Sequence, residues 1–386
     1  MKDTHLFDVL VVYSKEIAAS ASSTNTDIIA PFFAESSNAN YNNAYAHLLS
    51  VCDQYNLKAA FTTTSEIIDA GTCKSYWLYE KNEWVKVNNK CFAPLIFDKF
   101  APINQERIDD RSLLFSSYTV LPFNDAYLLE LFKDKYKTYK ALTHFSIPTV
   151  TVSQSNVIDI KKALTKLKKL VSIHHNSEDF SSGIVLKDRN GAGGNHIYKL
   201  TSSYITKIQA ILQKNESMKF VIQPFVKFES GFSYKNKNEL TDVRLIFIKD
   251  KLVQAYIRIA KENEFRCNEH KGGTLEYISI QDIPDVIMQT SKKVLKNLTS
   301  KSSLYALDFI VSNNGNAFLL EGNTGPGLDW NLSKKINEKN AHHLIQLIVE
   351  EFVYKTEQSK SEVITQRDLQ SKMTLPFITY PKVESI

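Results

Sequence analysis

Cysteine is scarce in this chain of 386 residues: there are four, Cys52, Cys73, Cys91 and Cys267, and none stands at a paired spacing. A disulfide framework and a cysteine-built zinc site are therefore not indicated, and a reducing, cytoplasmic setting is expected. No apolar run approaches the length of a membrane-spanning helix, so no membrane partner is expected. The first thirteen residues carry an acidic interruption and read as a first strand in place of a signal peptide. Charge of one sign is not in large excess. Lys and Arg number 47 against 42 Asp and Glu, for a net +5 spread along the chain; no nucleic-acid partner follows, although phosphate-bearing ligands are compatible. Internal repeats are absent, as are a Walker A motif and the dinucleotide-binding fingerprint.

What is present is an ordinary globular composition, 43% hydrophobic and 23% charged, on a length that suggests two or three domains. Residues 7–13 are an apolar, β-branched run typical of a strand buried on both faces. A helix over 39–55 and a strand over 57–62 continue a β–α–β alternation, which predicts a Rossmann-like N-terminal domain. Residues 75–87 alternate around Lys81-Asn82 as a hairpin with exposed aromatics. It is most simply an edge hairpin, with a substrate-facing or homodimer-forming role as the alternative. Residues 124–145 read as a helix interrupted at 133–137, and 158–171 as an amphipathic helix whose lysines face solvent.

Residues 183–187 form a strand ending in Lys187, followed by Asn190-Gly191-Ala-Gly193-Gly194. Backbone N–H groups in such a loop can approach phosphate oxygens, with Lys187 as a point charge. The strand at 219–226, with Gln223, Phe225 and Val226, can offer backbone groups to an adenine, with Glu229 placed for a ribose. Segments 241–248 and 251–258 make a further hairpin. Arg258, Arg266 and Asn268 then supply guanidinium and amide groups suited to carboxylate or phosphate.

The stretch 304–330 organises the rest. Two apolar strands meet at an Asn-Asn-Gly turn, the first carrying Asp308 and the second Glu321 and Asn323. Glu321 and Asn323 are two apart and share a face of an extended strand, and folding back brings Asp308 opposite. Two carboxylates and an amide oxygen suit Mg²⁺ completed by substrate phosphates.

In combination, Asp134-Lys135, Lys187 with its glycine loop, Gln223 to Val226, Asp242-Val-Arg244, Arg258, Arg266-x-Asn268 with Gly272-Gly273, and Asp308 with Glu321-x-Asn323 resemble the ATP-grasp superfamily of carboxylate–amine ligases. The stretch 265–273 looks most like the RimK-like glutamate ligases and glutathione synthetases. The resemblance implies a mixed α/β and α+β chain. A preATP-grasp domain would span 1–122, ATP-grasp subdomains 123–204 and 205–354, and a tail 355–386. It implies that Lys135, Lys187 and the 190–195 loop contact ATP phosphates. Gln223, Phe225 and Val226 would lie at the adenine and Glu229 near the ribose. Asp308, Glu321 and Asn323 would hold one or two Mg²⁺ (Mn²⁺ being possible), and Arg258, Arg266 and Asn268 would surround the transferred phosphate. The implied activity joins a small carboxylate to an amine, an amino acid or peptide, through an acyl phosphate. A kinase or a non-catalytic nucleotide-binding module is the alternative. Two departures stand out: a glycine loop poorer in glycine than many in the family, and Gly322 in place of the usual apolar residue. The segment 375–381 is expected to dock on the body or on a partner subunit.

Overall fold

The computed structural model describes residues 4–191, 193–235, 239–299, 304–328 and 334–373; the segment 375–381 lies outside them. The N-terminal part is built on a six-stranded sheet. Its strands run Leu121–Pro122, Leu95–Lys99, Val9–Tyr13, Ala59–Thr63, Tyr76–Glu80 and Glu83–Val87 in spatial order. The first four are parallel and the last two antiparallel. Val9–Tyr13 is buried throughout. Val9, Val11 and Tyr13 enter the core under helix Tyr41–Gln54, while Leu10 and Val12 enter a second core on the other face. A continuous apolar run is what a strand covered on both sides requires.

The hairpin at 76–87 turns at Lys81 and Asn82, both with positive φ, as a tight two-residue turn demands. Its aromatics are not exposed, against expectation. Trp77 is fully buried and donates Nε1–H to the carbonyl of Ala19 at 3.0 Å, and Trp84 packs on Phe61 and Trp77. Alternation identifies the faces of a strand but not which one the rest of the chain covers.

The helix expected at 124–145 is two, Ala126–Phe132 and Lys135–Ala141. Asp134 ends the run by capping the second, its carboxylate accepting from the N–H groups of Tyr136 and Lys137 at 2.9 and 3.1 Å. Helix Val157–Ser172 buries Ile160, Ala163 and Leu167 and leaves its lysines to solvent. No helix among the described residues is long and apolar enough to cross a membrane.

Two antiparallel sheets follow. A four-stranded one orders Val150–Val152, Phe220–Val226, Phe180–Asp188 and Ile197–Leu200, backed by helices Val157–Ser172 and Tyr204–Lys214. A five-stranded one orders Thr274–Tyr277, Lys251–Ile259, Thr241–Ile248, Leu304–Val311 and Ala317–Asn323, backed by Asp285–Asn297 and Ala126–Phe132. The four-stranded sheet takes strands from both sides of residue 204, and helix Lys335–Met373 passes residue 354 without a break. Residue 204 is also the first residue of helix Tyr204–Lys214. One end of the five-stranded sheet joins the N-terminal core. Ile246, Ile248, Tyr256, Leu304 and Ala306 pack in one cluster with Val9, Val11, Phe61 and with Leu344, Ile345 and Ile348 of the long helix.

Candidate functional site

The two sheets face each other across a cavity, and strand periodicity decides what each presents. In the four-stranded sheet Val185 pairs with Gln223 and Lys187 with Val221, so Val185, Lys187, Gln223 and Phe225 share the cavity face. The alternate residues, Ile184, Leu186, Phe220 and Ile222, fill the core behind. In the five-stranded sheet Asp242 pairs with Arg258, Arg244 with Asp308, and Asp308 with Glu321. Val243, Leu245, Phe309 and Ile257 point the other way into the core. Lys187, Gln223, Phe225, Val226, Arg258, Arg266, Asn268, Asp308 and Glu321 all line the one cavity.

Asp308 is 1% exposed and its charge is fully met. Arg244 holds it bidentately, Nε to Oδ1 and Nη2 to Oδ2, both at 2.6 Å, and Arg258 Nη2 reaches Oδ2 at 2.7 Å. Arg258 also clasps Asp242 through Nε and Nη2 at 2.8 and 2.9 Å. Burial alone would push the Asp308 carboxyl up; the two guanidinium charges outweigh it and hold it down to about 2. Two carboxylates and two guanidiniums thus form a buried set with no net charge, the condition under which buried ions are tolerated. Arg244 and Asp242 carry this network; both stand in the pattern that carries the family resemblance, where neither is assigned a role. Their signal is the spacing of two on a strand whose intervening positions are apolar. Arg258, expected at the transferred phosphate, commits Nε and Nη2 here and keeps Nη1 unbonded among the described residues.

Glu321 stands directly opposite Asp308, as the hairpin pattern implies, yet its carboxylate accepts no hydrogen bond among the described residues. Asn323, two positions on and opposite Ala306, accepts the N–H of Gly325 at 2.8 Å. No group of three or more His, Cys, Asp or Glu side chains among the described residues is placed to hold a metal. The oxygen-only set of Asp308, Glu321 and Asn323 is thus no closed cage. Three of the roughly four lone pairs of Asp308 are engaged, one remains, and Glu321 is open. That fits a hard ion such as Mg²⁺ whose shell is completed by phosphate oxygens and water. Against Phe132 there is room at position 322 for a glycine only: a Cβ at Gly322 would lie 2.3 Å from the Phe132 ring, which explains the missing apolar side chain there.

Lys187 meets Glu321 electrostatically across the cavity. Burial lowers its ammonium to about 8, with Glu321 pulling it up and Lys135 pressing it down. Lys135 does not line the cavity; its Nζ donates to the carbonyl of Gly191, and its own N–H to the carbonyl of Arg189 at 3.0 Å. The loop at 190–195 is pinned on both sides. Arg189 grips Asp134 through Nε and Nη2 at 2.8 and 2.7 Å, and Asn190 Nδ2 donates to the carbonyl of Lys133 at 3.1 Å. On the far side Arg266 Nη1 donates to the carbonyl of Gly194 at 3.2 Å and Lys271 to Asn195 at 2.9 Å. Gly194 has φ +74°, and a Cβ there would sit 2.8 Å from Asn268 Oδ1, so the loop closes against Asn268 only with glycine. Gly193 also lies in this loop, at φ +66°. Arg266 is otherwise paired with Glu264 at 2.6 Å.

Glu229 is exposed and lies outside the cavity lining. It accepts from Asn313 Nδ2 at 3.0 Å, and buried Asp179 accepts from Asn314 and Asn316 at 2.6 and 2.9 Å. The Asn-rich turn of the Asp308 hairpin is therefore a clamp onto the chain segments flanking the other sheet, as well as a turn.

Against this geometry, the family described as the RimK-like ATP-grasp domain matches residues 132–348. A protein named probable alpha-L-glutamate ligase from Legionella pneumophila (strain Corby) is 26% identical over 227 residues, 58% of this chain and 66% of its own length. The chain spans about six-tenths of the length of the curated relatives it matches. Among solved structures, D-alanine–D-alanine ligase from Bacillus anthracis complexed with ATP superposes with a TM-score of 0.54 at 11% identity, over 91% of this chain and 99% of that one. The ATP-grasp ligase PsnB, complexed with a phosphomimetic variant of minimal precursor, Mg and ADP, gives 0.51 at 11% identity, over 92% and 100%. These superpositions establish a common fold.

Proposed function

The chain belongs to the RimK-like ATP-grasp domain family, and from that premise we propose that it is an ATP-dependent carboxylate–amine ligase forming an amide or peptide bond and releasing ADP and phosphate. The observation that carries this is the open Glu321 carboxylate, paired across strands with the arginine-held Asp308 and facing Lys187 in one cavity. Mg²⁺ bound there would screen phosphate charge. Asp308, Glu321 and Asn323 would hold it, with Lys187 and the 190–195 loop against the phosphates and Lys135 fixing that loop. Gln223, Phe225 and Val226 take the base, and Glu229 belongs near the ribose only if the turn clamp opens. Phosphoryl transfer asks mainly for positioning and charge neutralisation. The residues present serve that, with Arg266, Asn268 and the remaining Nη1 of Arg258 toward the carboxylate substrate and its acyl phosphate. Residues 1–122 would shape the acid and amine subsites, amino acid or peptide by the relatives' names.

The commitment of Arg258 to Asp242 and Asp308 leaves one fewer free guanidinium for a substrate carboxylate, and this favours transfer to a hydroxyl, a kinase reaction, as the second reading. Purified chain with Mg-ATP and pools of amino acids and peptides separates them. ADP and phosphate released together, dependent on both an acid and an amine, supports the ligase. A phosphorylated acceptor without free phosphate supports the kinase. AMP with pyrophosphate sinks both.

A further inference from the structure

Lys99 ends strand Leu95–Lys99, opposite Tyr13. Val9–Tyr13 lies between that strand and Ala59–Thr63, the chain having gone first to one side of it and later to the other. In open parallel sheets, ligands bind at the carboxyl ends of the strands where the order reverses in this way. The other charged groups around this crevice are matched. Arg107 donates to Ser14 and Glu16, both at 2.7 Å, Lys15 pairs with Glu106, and Arg111 with Asp98. Lys99 is the exception. Its ammonium lies 5.5 Å from the centre of the Phe97 ring and donates to the carbonyl of Pro326 at 2.9 Å. An ammonium has three hydrogens, and the other two find no partner among the described residues. Burial lowers the group to about 8; Asp98, which pulls it up, points to the opposite face of the strand and belongs to Arg111. A desolvated cation held by a neutral carbonyl lacks the anion that would offset its burial.

Position says which anion. Pro326 is three residues beyond Asn323, whose amide accepts the N–H of Gly325 in the same turn. Lys99 therefore stands where strand Ala317–Asn323 leaves the inter-sheet cavity, and it does not line that cavity. On the ligase reading, a nucleotide and the carboxylate to be phosphorylated fill the cavity, and the amine comes in from outside it. We infer that Lys99 is a specificity-determining residue for the amine: its two remaining N–H groups bind a non-reacting carboxylate of an amino acid through charge-assisted hydrogen bonds. The amino group is then held toward the acyl phosphate with its lone pair free, and an amine without a carboxylate lacks the anchor. The inference rests on the ligase reading above and adds the substrate class of the amine. A site built around a charged hydrogen bond discriminates strongly, because the mismatched ligand leaves its buried group unpaired.

The pools of amino acids and peptides described above identify an acid and an amine that together release ADP. The same amine with its carboxylate, or each carboxylate in turn, converted to the carboxamide is the contrasting probe. Wild-type kcat/KM should favour the free carboxylate at least about tenfold, the worth of a charge-assisted hydrogen bond. Lys99→Met should raise KM for the amino acid about tenfold, leave KM for ATP and for the acid essentially unchanged, and erase the preference. Lys99→Arg, which keeps the charge, should keep part of it. Wild-type turnover as fast with every carboxamide as with the amino acid overturns the inference and leaves the ligase reading intact. So does a Met variant whose KM values for ATP, acid and amine shift together. Absence of ADP release with any pair overturns the ligase reading and this inference with it. Should the Met variant not fold, the wild-type preference and the Lys99→Arg variant decide.

Discussion

The two sheets that face each other across the cavity differ in how their polar groups are met. On the five-stranded side, Asp242, Arg244, Arg258 and Asp308 have already cancelled one another, and Glu321 on the edge strand is the carboxylate a ligand finds open. On the four-stranded side, Lys187 and Gln223 stand among apolar residues, Lys187 facing Glu321 across the cavity and Gln223 Oε1 without a hydrogen-bond partner among the described residues. The contrast narrows to one cross-strand pair: Asp308 accepts three hydrogen bonds from arginine, and Glu321, directly opposite, accepts none among the described residues. A saturated network supplies shape and rigidity, whereas an unmet group supplies binding. The difference separates residues whose loss should unfold the protein from residues whose loss should silence it.

Arg258→Ala breaks the saturated side and carries the largest expected effect. It strips Asp242 of its clasp inside the sheet, and removing one partner of a buried pair costs about 3–5 kcal/mol; urea denaturation reads it directly. Arg258→Lys should recover only part, because an ammonium cannot grip two carboxylates with a planar fork. Glu321→Ala tests the other half. Stability should stay within about 0.5 kcal/mol, while nucleotide-dependent turnover falls at least about a hundredfold. If that variant melted as early as Arg258→Ala, the comparison would collapse. Gly194→Ala should come third. Its left-handed backbone costs a side-chain residue about 1–2 kcal/mol, and the new methyl meets Asn268, so the apparent affinity for ATP should weaken about tenfold with little change in melting temperature.

The smallest effect is a pH dependence. Burial holds Lys187 down to about 8, and a phosphate prefers the protonated form. Affinity for ATP should therefore fall as pH rises through about 8, and Lys187→Arg, whose guanidinium stays charged, should flatten the fall. Stability of the free protein runs the other way for this group. Between about 8 and its ordinary 10.5 the unfolded chain binds more protons than the native one, so the Lys187 contribution to stability rises with pH across that window. Titrations at about pH 7 and about pH 9 check the sign of the affinity change.

What the sequence makes legible follows the range of the interactions. The Asp308–Glu321 pairing is readable because a turn signal and strand alternation specify it within one hairpin. The Arg244–Asp308 bond joins positions 64 apart in the chain, and no local pattern says which strands will be neighbours. Helix Gln105–Leu114 buries only Leu114, so it has no apolar stripe by which to be recognised. The fold class is visible in the order of motifs. The burial of Trp77 and the clamp from Asp179 to the Asn turn depend on what covers a face, which periodicity leaves open. Gly322 shows the same limit in reverse: its peculiarity is legible, but its reason is Phe132, nearly two hundred positions earlier.

The shared packing of Ile246, Ile248, Leu304 and Ala306 with Val9, Val11 and the helix at Leu344 to Ile348 has a thermodynamic meaning. Neither the N-terminal part nor the five-stranded sheet can open without exposing apolar surface of the other. Those two parts should therefore melt in one cooperative transition, and cleavage near residue 122 should leave two fragments that hold together or fail together. The four-stranded sheet keeps one core to itself beneath its helices and meets the other sheet through Phe180, Val185, Phe225 and Val226 against Ile310 and Phe318.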